Sequence, residues 1–139
     1  MTMTLQEIFD KVVARAAVPV RSMRAPLHPA SDGLCAYRPD DYPATPGCFV
    51  GCVIEDAHYH RALETLHVYE GVVMEALFKS GVLSTPSNVG EDVNRLSLLD
   101  RCQRVHDRVK PENWMTALHE VAAEYRLAFN PPVTDEVKS

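Results

Sequence analysis

Between Cys35 and His60 the chain reads CAYRPDDYPATPGCFVGCVIEDAHYH, a stretch that holds three of its four cysteines and two of its six histidines. Zinc prefers thiolate and imidazole ligands in a tetrahedral set. Cys35, Cys48 and Cys52, with His58 or His60, supply enough donors for one. The spacing is C-x12-C-x3-C, whereas a zinc knuckle usually shows C-x2-C. The other reading makes these cysteines small apolar side chains packed under a turn, as free thiols commonly are.

Three further constellations could do chemistry. His60, Glu64 and His67 stand on one face of a continuous helix, where they would hold a divalent metal or form a plain solvated pair. Cys102 and His106 also share a helical face, followed directly by Asp107, so a thiol–imidazole nucleophile is geometrically conceivable. Cys102 belongs equally to the apolar stripe of Leu98, Val105 and Val109, which makes His106 a partly buried hydrogen-bond donor instead. Arg101, Arg104 and Arg108 recur at i, i+3 and i+7, with Lys110 and Arg95 nearby and Asp100 and Asp107 close enough to neutralise them. Arginine forks suit phosphate and carboxylate recognition, so this row is the candidate face for an anionic ligand or a partner protein. Tyr37 and Arg38 form a second candidate platform, by stacking, unless Tyr37 packs inward and Arg38 pairs with a carboxylate such as Asp56.

The elements that must position these residues follow from hydrophobic periodicity. Thr4 and Glu7 have capping-box spacing, and Leu5, Ile8, Phe9, Val12, Val13 and Ala16 follow the 3.6 period behind them. Pro19, Pro26, Pro29 and Gly33 punctuate an irregular connection. LCAYR and CFVGCVI are rich in aromatic and β-branched residues and predict a β-hairpin over roughly 34–54, with the turn-forming PDDYPATPG between them and a bulge at Gly51. Residues 58–81 read as a helix with a break near Gly71 and Gly81 just past its end. VNRLSLLDRCQRVHDRVK is the next helix. PENWMTALHEVAAEYRLAF is the last, with Pro111 near its first turn and Trp114, Ala117, Leu118, Val121, Ala122 and Tyr125 on one face. The expectation is a single α-rich α+β domain over 1–130, about four helices with a short hairpin, and a tail over 131–139.

The chain has 139 residues, 46% of them apolar and 24% charged, with a net charge of −5. That balance fits a folded globular protein and argues against broad nucleic-acid binding. No apolar run reaches the roughly eighteen residues of a membrane span. Gln6, Glu7 and Asp10 interrupt the place where a signal peptide would need an apolar core. The expected compartment is therefore the cytoplasm, where cysteines stay reduced.

Cys35-x-Tyr37-Arg38, then Gly47-Cys48-x-Val50-Gly51-Cys52-x-Ile54-x-Asp56-x-x-Tyr59-x-x-x-Leu63-Glu64, resembles a family of small phage and prophage proteins. Those read C-x-Y-R, a Gly-rich turn, then C-A-V-G-C-L-I-P-D-x-x-Y-x-x-x-M-E. Gln103-x-x-His106-Asp107 and the closing helix resemble their C-terminal part, so the likeness spans most of residues 5–127. This chain departs in its longer, proline-rich turn after Arg38 and in Glu55, where the family often has proline. The resemblance implies an origin and a shared fold, and carries no activity. With no complete catalytic constellation in the sequence, the leading expectation is an accessory protein that acts by stoichiometric binding to a host or defence protein or an anionic small molecule, without a cofactor. The alternative is a zinc-binding domain or a small metal- or cysteine-dependent hydrolase.

Overall fold

The computed structural model describes residues 2–17, 49–59, 63 and 66–131. Four α-helices run through them: α1 (Leu5–Ala16), α2 (Gly71–Lys79), α3 (Asp92–Arg108) and α4 (Trp114–Tyr125). Short 3₁₀ turns stand at Gly51–Val53, Asp56–His58 and Pro111–Asn113.

α1 starts where its capping box dictates. Thr4 Oγ1 accepts from the Glu7 N–H at 3.1 Å, and Glu7 Oε1 accepts from the Thr4 N–H at 2.8 Å. Two backbone donors at the helix start are thereby satisfied. Its apolar stripe buries Ile8, Phe9, Val12 and Val13, with Leu5 and Ala16 half-covered at the ends. α1, α3 and α4 pack against one another in all three pairings, and the Gly51–Val53 turn sits on α1. From α3 the core takes Leu96, Leu98, Leu99, Cys102 and Val105; from α4 it takes Trp114, Leu118, Val121 and Ala122.

The chain is all-α among the described residues, which corrects the expected α+β hairpin. The predicted first strand, over 34–38, lies outside the described residues. The second is overturned: Phe49 and Val50 form a turn and Gly51–Val53 a 3₁₀ turn, with the Val53 N–H donating to Val50 O at 3.1 Å and the Ile54 N–H to Gly51 O at 3.2 Å. The reason is visible in which side chains are buried. Phe49, Val50, Val53 and Ile54 all enter the core. That spacing suits a helical turn, whereas a strand would bury alternate residues.

Of the helix predicted over 58–81 with a break near Gly71, the part from Gly71 forms α2, while among the described residues before it 66–70 are not helical. Before it, the Leu66 N–H donates to Leu63 O, the Glu70 N–H to His67 O, and the Tyr69 N–H to His67 Nδ1 at 3.2 Å. A side chain that captures a nearby backbone donor competes with helix formation. α2 ends as predicted at Gly81, whose φ of 82° lets the Val82 N–H return to Leu77 O at 2.9 Å and the Gly81 N–H to Phe78 O at 3.1 Å. This is the Schellman arrangement that glycine favours.

Candidate functional site

The outward side of α3 follows from its inward side. Leu98, Cys102 and Val105 face the core, which turns Arg101, Arg104 and Arg108 away from it. Two of the three are held by carboxylates. Arg101 reaches Glu124 of α4 through paired bonds, Nε to Oε1 and Nη2 to Oε2, both 3.0 Å. That pairing holds the Glu124 carboxyl below its usual range. Arg104 Nη2 lies 3.1 Å from Asp100 Oδ2, one turn back on the same helix. Arg108 is exposed and makes no ion pair among the described residues. Tyr69, 39% exposed, borders this row: burial raises its phenol, nearby Asp100 and Tyr125 raise it further, and Arg104 opposes them. The Tyr125 and Ser97 hydroxyls share a hydrogen bond at 2.6 Å. Val93, 44% exposed, lies near the N-terminal end of α3.

Arg95, grouped with that row in the sequence, serves elsewhere. Its Nε donates to Met3 O and its Nη1 to Asp92 Oδ1, each at 2.8 Å. Asp92 is 1% exposed and also accepts from the Ser84 N–H at 2.9 Å and, at Oδ2, from the Thr85 N–H at 2.9 Å and the Thr85 hydroxyl at 3.1 Å. Burial alone would raise this carboxyl, but the Ser84, Arg95 and Thr85 hydrogen bonds together hold it below its ordinary value. Asp92 and Arg95 thus fasten the loop 84–91 and the N-terminus to the start of α3.

Both cysteines in the described region are protonated thiols. Cys102 is fully buried; burial pushes it up to about 12, and the neighbouring Cys52 adds to this. Cys52 turns its Sγ towards Phe49 O at 3.0 Å, and burial pushes it up to about 12 as well. A nucleophile needs thiolate character, and neither sulfur has it at neutral pH.

His106 is where the sequence reading goes furthest astray. The expected hydrogen bond is not made: among the described residues neither ring nitrogen has a hydrogen-bond partner, and the side chain is 0% exposed. It lies flat on Trp114, with ring centroids 4.9 Å apart at 24°, and edge-on to Phe49 at 4.8 Å. Nδ1 stands 3.5 Å from Asp107 Oδ1, close enough for attraction but without hydrogen-bond geometry. Asp107 Oδ1 accepts instead from Gln103 Nε2 at 2.9 Å, and Gln103 Oε1 accepts from the Val50 N–H at 3.2 Å. The Arg15 guanidinium sits 5.8 Å from the Phe49 ring centre and 5.7 Å from that of Trp114.

Of the proposed zinc ligands, Cys35, Cys48 and His60 lie outside the described residues, as do Tyr37, Arg38 and Glu64. His58 stands in the Asp56–His58 turn, 3.7 Å from Glu55. His67 precedes α2, so no continuous helix carries it on the expected metal-binding face. Among the described residues no group of three or more His, Cys, Asp or Glu is placed to hold a metal ion. No helix there is long and apolar enough to cross a membrane. No protein-family model, curated protein or solved structure matches the chain.

Proposed function

We propose that the protein acts by stoichiometric binding to another protein, and that the outer side of α3 is the face it presents. The observation that supports this is the row Arg101, Arg104 and Arg108 on the solvent side of a helix whose other side is core. Glu124 fills the Arg101 fork that a phosphate would need, and Asp100 contacts Arg104 through one Nη2. Charges of both signs suit a protein surface better than a small anion, because complementary groups fix orientation and reject wrong partners. Tyr69, which borders Asp100 and Arg104, supplies exposed aromatic surface beside the row. Tyrosine and arginine are the residues most often found at the energetic centres of interfaces. The resemblance of residues 35–64 to phage and prophage proteins supports a host or defence protein inside a bacterial cell as the partner.

The test is affinity purification from bacterial extract, with the wild-type chain and an Arg101→Ala, Arg104→Ala, Arg108→Ala variant side by side. The expected result is one protein recovered in near-equimolar amount with the wild type and depleted with the variant. Equal recovery by both would remove α3 as the binding face.

A further inference from the structure

The stack of Phe49, His106 and Trp114 joins three separate parts of the chain: the 49–54 segment, the end of α3 and the start of α4. It is built around a ring whose two polar nitrogens find no hydrogen-bond partner among the described residues. Buried polar groups are nearly always hydrogen-bonded, so such an exception asks for a reason.

Among the described residues the charged groups facing His106 are Arg15 from α1 and Asp107 from α3. The 49–54 segment and α4 offer it aromatic rings. The Trp114 indole N–H is already used, donating to Val109 O at 2.9 Å. A proton on His106 would therefore add a cation on the side of Arg15, against two aromatic rings, where among the described residues Asp107 at 3.5 Å is the carboxylate that faces it. That carboxylate is shared with Gln103 and partly exposed, which screens it.

We infer that the Phe49–His106–Trp114 stack is an acid-released latch, which fastens the 49–54 segment to the α3–α4 corner while His106 is neutral and frees that segment when His106 takes up a proton. The balance of neighbours supports this direction. Burial opposes the charged ring most strongly, Asp107 favours it and Arg15 opposes it, with a net preference for the neutral form below the ordinary histidine range. The unfolded or released state binds the proton more readily, so the latch is closed above about pH 6.5 and loosens as pH falls through the lower folded value.

Trp114 is the only tryptophan in the chain and lies against His106, so its fluorescence reads the latch directly. The experiment is a pH titration of Trp114 emission in the full-length wild type and in His106→Phe, which keeps an aromatic ring without the titrating group. Alongside it, the wild-type histidine ring signals are followed by NMR and amide exchange is measured at the same pH values. The wild type should show an emission step with its midpoint below about 6.5, together with faster exchange at residues 49–54 while α1 and the middle of α3 stay protected. His106→Phe should lack the step. The same step in that variant would overturn the latch. So would His106 protonating with 49–54 still protected, or α1 and α3 opening at the same pH. If His106→Phe does not fold, the NMR and exchange measurements on the wild type decide the matter alone.

Discussion

At the scale of single residues, Asp92 holds the loop before α3. It is buried, and its partners are the backbone of Ser84 and Thr85 and the guanidinium of Arg95. Removing one member of a buried pair strands the other, so Asp92→Ala should lower stability by roughly 3–5 kcal/mol in urea unfolding at neutral pH. Because the folded-state pKa is depressed, the stabilisation is complete above the unfolded value of about 3.9 and is lost as pH falls through the lower folded value. A wild-type stability curve that stays flat through that range would contradict this account of Asp92. The Arg101–Glu124 pair is the opposite case. Both side chains are partly exposed, at 33% and 47%. A double-mutant cycle on this pair should return no more than about 1 kcal/mol despite its two good hydrogen bonds.

At the scale of elements, the helix ends are the sensitive points. The chain leaves α4 through Arg126 at φ 58°, with the Leu127 N–H returning to Ala122 O at 2.8 Å. A left-handed conformation costs a residue with a Cβ roughly 1–2 kcal/mol, and glycine escapes that strain while losing more freedom on folding. Arg126→Gly should therefore raise thermal stability by about 0.5–1 kcal/mol, and a fall in Tm would refute the reading of this turn. Thr4→Ala should cost about 1 kcal/mol through the lost cap, measured the same way. α1 is legible because its capping box and the 3.6 period agree, from Thr4 and Glu7 to the stripe from Ile8 to Val13, whereas α3 and α4 have no side-chain N-cap and are legible from the 3.6 period alone. In the 49–54 run the β-branched residues imply a strand by propensity alone. β-propensity reflects fit to a half-buried pleated surface, and these side chains pack instead on α1. The break near Gly71 was legible from the glycine, but the non-helical 66–70 before it was not, since the His67 imidazole competes for a backbone donor, an interaction that periodicity does not register.

At the scale of the whole molecule, a chain of net charge −5 presents a row of arginines on one helix. The shared face of Arg101, Arg104 and Arg108 was readable from spacing alone. Their pairing was only partly so: Asp100 lies one turn from Arg104, but Glu124 comes from another helix. The His106 stack was hidden for the same reason, since Phe49 is remote in sequence from the other two rings and His106 and Trp114 stand on different helices, so the three meet only through tertiary packing. Binding through the α3 face should weaken as salt rises, since exposed charges lose most of their interaction beyond about 8 Å at physiological ionic strength. The most direct test is site-specific photo-cross-linking in bacterial cells, with the reactive amino acid placed at Arg104 in one version and at Lys11, on the exposed side of α1, in the other. A single discrete adduct from position 104 and none from position 11 is the predicted result. Adducts from both positions alike, or from position 11 alone, would contradict binding through the outer face of α3.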